Sequence, residues 1–425
     1  MNESFIEFLK NSPTPYHVCE NIQSVLEECG FVKLSEGEDW NVNEGGKYFV
    51  VRGSGLVAFT VGSLDDFSFK IAAAHTDSCT LKIKENPLVK SEYCALLNVE
   101  TYGGGAWHTF LDRPLQIAGR VIKRQGSVLK EETVTSSFLV QIPSLAIHQN
   151  RTVNDGLAIN AQTDLKPMIS LNENGIVMED VLKKLTDGSV VSYDLFLVNA
   201  DLPHSFGLHN EFLSSPRLDD LASVYAGIQA LLAAPESGGI NVFAAFNSEE
   251  IGSVTPDGAD GDFLENTLRR ITYALRFDDN EYYKALSSSF LLSVDNAHAT
   301  HPNHPEKTDP TNRPTLGGGI AVKSHASGAY ITDALSSAIV KTLFDNAEVK
   351  YQAFFNRSDV RSGSTLGVSF RRHLSLSGAD IGITQLSMHS ANETIAWSDL
   401  DELTKGLTAY YASTLHIANG SVTIE

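Results

Sequence analysis

The chain has 425 residues, of which 42% are hydrophobic and 20% are charged, values typical of a globular protein with more than one core. It carries 52 acidic against 32 basic residues, and the resulting formal net charge of -20 disfavours binding to nucleic acid and to anionic membrane surfaces. We therefore expect a two-domain protein with neither nucleic acid nor a membrane among its partners.

The N-terminal segment and the cysteines predict a cellular location. The opening MNESFIEFLKNSPTPYHV lacks the basic region and apolar core of a secretory signal, and no stretch approaches the roughly 18 uncharged residues of a membrane span. The cysteines at 19, 29, 79 and 94 form neither a CxxC pair nor the spacing of a disulfide framework. We expect a soluble, cytoplasmic protein in which Cys79 is a small buried hydrophobe.

The first part of the chain has the pattern of an α/β protein. Helical apolar spacing in SFIEFLKNSP and HVCENIQSVLEECG precedes three apolar runs that predict strands, KYFVVRG, SGLVAFTVGS and FSFKIAAAHTD. From residue 88 to 213 the chain changes to β-branched, polar-alternating runs such as SVVSYDLFLV. This stretch predicts an inserted all-β domain.

After residue 213 helical and extended patterns alternate again. Helices are predicted in DDLASVYAGIQALLAA, ITDALSSAIVKTLF and SDLDELTKGLTAYYASTLH, and strands in INVFAAFNSEE, SFLLSVDNAHAT, YQAFF and ITQLSMHS. Such alternation predicts a largely parallel sheet with helices on both faces, formed by a discontinuous domain of residues 1–87 and 214–425. The proline- and glycine-rich stretch 302–319 is expected to be a surface excursion or a lid.

Ionisable side chains follow the ends of most predicted strands. They are His75-Thr76-Asp77 after FSFKIAAA, Glu249-Glu250 after INVFAAFNS, Asp295 after SFLLSV and His389 after ITQLSM, with Asp219-Asp220 at the start of a helix. Each alone has a structural explanation, such as a helix cap, a solvated turn or an ordinary histidine. Together they predict a cation, because ligands bind outside strand ends and buried carboxylates without partners are costly.

The types of residue in this set indicate the metal and the chemistry. Two histidines and at least three carboxylates, without a thiolate, suit zinc, cobalt or manganese. The number of acids favours two ions that share a carboxylate, as in hydrolases that activate a water molecule. Of the adjacent Glu249 and Glu250, one can bind a metal while the other accepts the proton of that water. Asp77 can orient the ring of His75 from its other nitrogen.

These residues lie in motifs that resemble the aspartyl aminopeptidase family of dinuclear zinc exopeptidases. The matching segments run in order through the whole chain: AAHTDS, GGGAWHTFLDRPLQIAGRVI, IPSLAIH, SPRLDDL, NSEEIGS, SVDNAHATHPN, RSGSTLG and QLSMHSANE. The resemblance implies a zinc-exopeptidase-like mixed sheet flanked by helices, with residues 88–213 as an all-β dimerisation domain. It also implies removal of an N-terminal residue, preferentially Asp or Glu, from peptides, with two Zn²⁺ ions (or Co²⁺ or Mn²⁺) as cofactors.

The resemblance assigns a role to each residue of the predicted centre. His75 and Asp295 would bind one zinc ion, Glu250 and His389 would bind the other, Asp219 would bridge them, Asp77 would orient His75, and Glu249 would be the general base. Four further residues match positions that line the family's specificity pocket: His298, His301, Lys323 and Tyr330. The Lys323 ammonium can pair with a substrate carboxylate, although by itself it is equally typical of a solvated surface lysine.

The inserted domain is expected to take part in assembly and catalysis. His148 matches a histidine that in the family reaches a neighbouring subunit's active site, and members assemble through the insert as dimers within a dodecamer. From the residues alone, His148 is a structural strand histidine. The segment SHASGAY after Lys323 departs from the arginine-bearing segment that is more frequent in the family. Two alternatives stay open: a dinuclear aminopeptidase that prefers neutral residues, and a non-catalytic assembly protein with structural metals.

Overall fold

A computed structural model of the chain describes residues 2–65, 67–171, 175–418 and 421–425. The helices are α1 (Asn2–Lys10), α2 (Pro15–Glu28), α3 (Ala161–Asp164), α4 (Met178–Leu185), α5 (Leu218–Ala233), α6 (Phe263–Ala274), α7 (Asp279–Ser287), α8 (Ala334–Asn346), α9 (Leu366–Phe370) and α10 (Trp397–Ala412). The strands are β1 (Val32–Leu34), β2 (Lys47–Arg52), β3 (Gly55–Val61), β4 (Phe69–His75), β5 (Thr80–Lys90), β6 (Cys94–Tyr102), β7 (Leu115–Gln125), β8 (Val128–Val140), β9 (Met168–Leu171), β10 (Val190–Asn199), β11 (His204–Phe206), β12 (Phe212–Ser215), β13 (Ile240–Phe246), β14 (Phe290–Val294), β15 (Ala297–His298), β16 (Ile320–Lys323), β17 (Tyr351–Phe354), β18 (Ser377–Gly382), β19 (Thr384–Leu386), β20 (Glu393–Ala396), β21 (Leu415–Ala418) and β22 (Ser421–Ile424).

The largest sheet is mixed and has the order β1-β2-β3-β13-β4-β14-β18-β16-β17. Its inner strands β13, β4, β14 and β18 run parallel, whereas β3 and β16 pair antiparallel with their inner neighbours. Every residue of β4 and β13 is buried, because α5, α8 and α10 cover one face and α6, α7 and α9 the other. The predicted mixed sheet flanked by helices is confirmed.

The parallel inner strands place the predicted metal ligands at one edge of this sheet. His75 is the last residue of β4 and pairs with Phe246, the last residue of β13. Asp295 follows the end of β14 directly. Since parallel strands end at a common edge, side chains from three separate parts of the chain meet there.

A second sheet, β8-β7-β10-β5-β6-β9, is antiparallel and is built from residues 80–199. It has its own apolar cluster, which includes Leu81, Ile117 and Leu195. Strand β5 begins at Thr80, five residues after His75, so the second sheet starts beside the end of β4. The division of the chain at residues 88 and 213 stays a prediction.

A smaller five-stranded sheet has the order β11-β12-β20-β19-β15 and carries the turn with His389 after β19. Within the described ranges, none of the helices has the length and apolar character needed to cross a membrane.

Candidate metal centre

Two histidine rings approach one aspartate at the edge of the main sheet. Nε2 of His75 lies 3.4 Å from Oδ1 of Asp219, and Nε2 of His389 lies 3.6 Å from Oδ2 of the same carboxylate. Oδ1 of Asp295 is 3.9 Å from Nε2 of His75, and Oε2 of Glu250 is 3.4 Å from Nε2 of His389. The structure therefore brings these five predicted ligands together, with Asp219 between the two imidazoles.

Asp77 contacts both His75 and the glutamate pair. Nδ1 of His75 lies 3.0 Å from the main-chain carbonyl of Asp77 and 3.5 Å from its Oδ1. The Asp77 carboxylate also accepts hydrogen bonds from the main-chain N–H groups of Glu249, at 3.0 Å, and Glu250, at 3.2 Å, and from the Tyr102 hydroxyl, at 2.9 Å. Asp77 thus fixes the start of the Glu249–Ile251 turn as well as the His75 ring.

Asp220 is a site residue to which the sequence analysis gave no role. Its Oδ2 accepts a hydrogen bond of 3.2 Å from the main-chain N–H of His75, and its Oδ1 is buried without a hydrogen-bond partner. His75, Asp220 and Asp295 offer ligand atoms that lie within 4.8 Å of one another. The doubled aspartate of PRLDD was a signal for this role, but a first-turn acid at a helix start is equally common.

The prediction that Cys79 is a buried hydrophobe is wrong. The side chain is half-buried, and its Sγ lies 3.1 Å from Oε2 of Glu250, while its main-chain N–H donates to Oε1 at 3.2 Å. Cys79 stands between the end of β4 and the start of β5, where the chain passes the glutamate pair. Cys79, Glu250 and His389 form a second group whose ligand atoms lie within 4.8 Å of one another.

The loop after β6 closes around this second group. Gly103 has a φ of +77°, and a Cβ at that position would lie 2.7 Å from Sγ of Cys79 and 3.1 Å from Cβ of Glu250. Nδ1 of His389 lies 3.2 Å from the carbonyl oxygen of Gly104, and Ala106 donates its N–H to the carbonyl of His389 at 2.9 Å. The inserted sheet therefore contributes the main chain that orients His389.

The donor atoms fit a divalent cation. In each of the two histidines Nδ1 faces a carbonyl oxygen, which favours the ring hydrogen on Nδ1, so that Nε2, when deprotonated, presents its lone pair to carboxylate oxygens. Oδ1 of Asp219 is buried, has no hydrogen-bond partner and lies opposite one of these lone pairs. Nitrogen and carboxylate oxygen are the donors that zinc binds, so a cation among them satisfies both.

The crowding of acids changes the pKa of several groups. Burial, with the charges of Asp295 and Glu250 in support, raises the pKa of Glu249 to about 8 against the opposing effect of His75. Burial likewise raises the pKa of Glu250 to about 7. Burial lowers the pKa of His75, but its contacts with Asp219 and Asp77 outweigh this and raise it well above the usual value. The carboxylates of the cluster carry more negative charge than its two histidines can neutralise.

Glu393 is a second residue that the sequence analysis missed. Its buried carboxylate accepts hydrogen bonds from the main-chain N–H groups of Asp219, at 2.8 Å, and His389, at 2.7 Å. Glu393 therefore holds the main chain of two predicted ligands, Asp219 and His389. The residue closes the segment QLSMHSANE, but an acid four residues after a histidine in a turn has the pattern of a solvated side chain.

Three of the predicted substrate residues lie beside Asp295. The buried ammonium of Lys323 donates to the carbonyl of Asn296 at 2.7 Å, lies 3.5 Å from Oδ2 of Asp295 and faces the ring of Tyr330 at 5.6 Å. Desolvation by the surrounding protein, followed by the charge of Lys323, lowers the pKa of the accessible His298. Lys323 is therefore not a solvated surface lysine.

Two other predicted substrate residues lie farther out. His301 is exposed and pairs with the ring of His304 at 5.2 Å. His148 is exposed in the segment after β8, not in a strand, and no hydrogen bond or ion pair joins it to the metal cluster in the described part of the chain.

The segment 302–319 is attached at its C-terminal end. The main-chain N–H groups of Gly317 and Gly319 donate to the carboxylate of Asp399, and Thr315 donates to Gln352. The assignment of this segment as a surface excursion or a lid stays a prediction.

Comparison with known proteins assigns the chain to a family. The profile of the family described as Aminopeptidase I zinc metalloprotease (M18) matches residues 8–411. The chain belongs to the M18 family. It is therefore a hydrolase of the aminopeptidase type within a family of zinc metalloproteases, and the predicted resemblance to the aspartyl aminopeptidase family is confirmed.

Individual M18 proteins resemble the chain along nearly its whole length. A probable M18 family aminopeptidase 2 of Clostridium novyi is 41% identical over 408 residues, which cover 93% of this chain and 94% of that protein. A chain in the structure of the Ape4 and Nbr1 complex superimposes with a TM-score of 0.91 at 32% identity. The match covers 96% of the chain described here and 85% of that chain. The mApe1 dodecamer of S. cerevisiae has a TM-score of 0.82 at 26% identity, covering 96% and 95%. These likenesses confirm the zinc-exopeptidase-like fold.

Proposed function

We propose that the chain is a dinuclear aminopeptidase that removes an N-terminal Asp or Glu residue from peptides. The observation that carries this proposal is the position of Asp219, whose two carboxylate oxygens lie 3.4 and 3.6 Å from the imidazoles of His75 and His389. A carboxylate between two imidazoles, with each lone pair directed at it, is the arrangement that two cations can share.

Two zinc ions fit the donors as follows. His75 and Asp295 would hold one ion, with Asp220 as a further oxygen donor. Glu250 and His389 would hold the other, and Asp219 would be common to both. Bound zinc supplies Lewis acidity, which polarises the scissile carbonyl and makes a water molecule more acidic.

Glu249 has the properties of a general base. Asp77 holds its main-chain N–H at 3.0 Å, which fixes the start of the side chain. Burial raises the pKa of its carboxyl group to about 8, so the carboxylate takes up a proton more readily than an exposed glutamate does. In the proposed reaction Glu249 removes the proton from the attacking water and then donates it to the leaving amine.

Lys323 supports a preference for acidic residues. An ammonium group has three N–H donors, and the contacts with Asn296 and Asp295 account for two of them. The third can pair with the side-chain carboxylate of the substrate, with His298 and Tyr330 beside it. A charge-assisted hydrogen bond of this kind contributes about 1.5–3 kcal/mol.

A preference for neutral residues is the second candidate. Asp295 already offsets the charge of Lys323, and the rings of Tyr330 and Phe354, 6.0 Å apart, belong to a buried apolar cluster beside that ammonium. The segment SHASGAY supplies no arginine to strengthen the positive charge. A neutral side chain would not need the ammonium.

We also propose that the chain forms a homo-oligomer, a dodecamer built from dimers. The S. cerevisiae mApe1 structure is a dodecamer and shares the fold. In the chain described here, Leu145 and Ile147 are exposed next to His148, and such apolar side chains favour an interface. His148 would then reach the active site of a partner subunit. The cytoplasmic location stays a prediction.

A substrate panel tests the proposed function. Initial rates would be measured on chromogenic aminoacyl substrates that bear Asp, Glu, Leu, Lys or Ala. Release of Asp and Glu at rates well above the others supports the acidic preference, and faster release of Leu or Ala supports the neutral alternative. No release from any substrate by zinc-loaded protein contradicts the aminopeptidase proposal as a whole.

A further inference from the structure

We propose that Cys79 is a metal ligand of the second subsite, which would then consist of Cys79, Asp219, Glu250 and His389. This inference rests on the proposed dinuclear function. It changes the ligand set from nitrogen and oxygen only to one that includes sulfur.

Three distances between the donor atoms are close to the edges of a tetrahedron around one ion. Zinc binds oxygen and nitrogen at about 2.0 Å and sulfur at about 2.3 Å, so the ligand atoms of a tetrahedral site lie about 3.3–3.5 Å apart. Here Oε2 of Glu250 lies 3.1 Å from Sγ of Cys79 and 3.4 Å from Nε2 of His389. Oδ2 of Asp219 lies 3.6 Å from the same Nε2. Ligand atoms of Cys79, Glu250 and His389 all lie within 4.8 Å of one another.

The position of the thiol is fixed from two sides. The main-chain N–H of Cys79 donates to Oε1 of Glu250, which brings Sγ against the other oxygen of that carboxylate. On the opposite side Gly103 leaves room that a Cβ would fill, since that atom would lie 2.7 Å from Sγ. The thiol therefore faces the carboxylate, and it occupies space that a side chain at residue 103 would fill.

The second subsite also includes a buried carboxylate that it shares with the first. Asp219 turns Oδ2 toward Nε2 of His389 and turns Oδ1, which has no hydrogen-bond partner in the described structure, toward Nε2 of His75. When a cation binds, it takes the place of the proton between Sγ of Cys79 and Oε2 of Glu250, and that proton leaves to solvent. One cation thus interacts with the thiolate, both carboxylates and the imidazole.

A sulfur ligand has consequences for the two subsites. Thiolate favours zinc, cobalt and cadmium over manganese and magnesium, so the second subsite would select the softer metals.

Cobalt substitution of the full-length protein tests the inference. The chelator-treated chain would receive two equivalents of Co²⁺, and bound cobalt per chain and the absorption spectrum would be recorded. We expect two bound ions and a near-ultraviolet thiolate-to-cobalt charge-transfer band. Cys79→Ser should lose this band and bind the second ion at least about tenfold more weakly, since even groups behind a ligand change affinity by 10–100-fold. Cys29→Ser is the matched control and should keep the band, because Cys29 is exposed in another part of the fold.

The two proposals fail in distinguishable ways. Two bound ions without the band in the wild-type protein overturn the role of Cys79 and leave the dinuclear centre standing. A band that persists in Cys79→Ser overturns it as well. One bound ion with the band supports Cys79 as a ligand but contradicts the dinuclear centre, and one ion without the band contradicts both. If Cys79→Ser does not fold, the wild-type spectrum alone decides.

Discussion

The ammonium of Lys323 lies 3.5 Å from the carboxylate of Asp295. The ammonium group proposed to select acidic substrates is therefore the same group that neutralises Asp295, a proposed metal ligand. The two roles predict different kinetic effects when the charge is removed.

Lys323→Met should lower kcat/KM for an Asp substrate far more than for a Leu substrate. The ratio of the two values is expected to fall by about 10–100-fold, since a hydrogen bond between charged groups contributes about 1.5–3 kcal/mol. Steady-state kinetics on both substrates give the ratio. An equal loss on both, accompanied by loss of bound zinc, would mean that Lys323 acts only through Asp295.

Glu249→Gln should retain its metal and lose turnover by about 10²–10⁴-fold, the usual contribution of a general base. The amide keeps the size and the main-chain hydrogen bond to Asp77 but cannot accept the proton of water. Zinc content and kcat would be measured together. Glu306→Gln, in the exposed Pro305–Lys307 turn, is the control and should behave like the wild type. Full activity of Glu249→Gln would remove Glu249 from the mechanism.

Glu393→Gln should weaken zinc binding and lower the thermal stability. The carboxylate accepts one main-chain hydrogen bond on each oxygen, and an amide can accept on only one side. A buried N–H group left without an acceptor costs about 1–3 kcal/mol. Thermal unfolding and a zinc titration measure the two effects. A variant with unchanged zinc affinity would show that Glu393 stabilises the fold without positioning Asp219 and His389.

Gly103→Ala should disturb the second metal group, whereas Gly104→Ala should not. A Cβ at Gly103 would lie 2.7 Å from Sγ of Cys79, and the residue has a φ of +77°, which costs an alanine about 1–2 kcal/mol. At Gly104 nothing lies within 4 Å of the added atom. The pair would be compared by thermal unfolding and zinc affinity. Equal behaviour of the two variants would contradict the close packing of this loop.

Removal of the metal should make the stability depend on pH. The pKa values of Glu249 and Glu250 rise from 4.5 to about 8 and about 7, so between these limits the folded chain holds protons that the unfolded chain has released. The free energy of unfolding of the chelated protein should therefore fall as pH rises through 7 and 8. Zinc should raise the Tm more at about pH 9 than at about pH 6, because it takes the place of these protons. A zinc effect that is independent of pH would contradict this linkage.

The sequence predicted the fold and most of the cluster because strand ends can be recognised from apolar runs. His75 and Asp295 follow such a run directly and Glu250 follows one after a short turn, and parallel pairing then brings them together. Cys79 and Glu393 were missed for a physical reason. Each acts on a ligand that lies more than a hundred residues away along the chain, and only the register of the strands reveals those contacts.

The contacts around Asp295 were harder to predict for a similar reason. The sequence marks Lys323 as a cation at the end of β16, but its carbonyl partner at Asn296 comes from the end of another strand. The proposed role of His148 involves a partner subunit, so the contacts within one chain do not bear on it. Local sequence therefore predicts which groups are present better than it predicts which of them are already paired.

The loop 103–106 belongs to the inserted sheet, yet it holds His389 through Gly104 and Ala106 and packs against Glu250 through Gly103. The inserted sheet thus supplies part of the wall of the candidate metal centre. A shortened protein could be made by deleting the insert and rejoining the two flanking segments. It would lose the contacts of Gly104 and Ala106 with His389, and with them the fixed orientation of that imidazole.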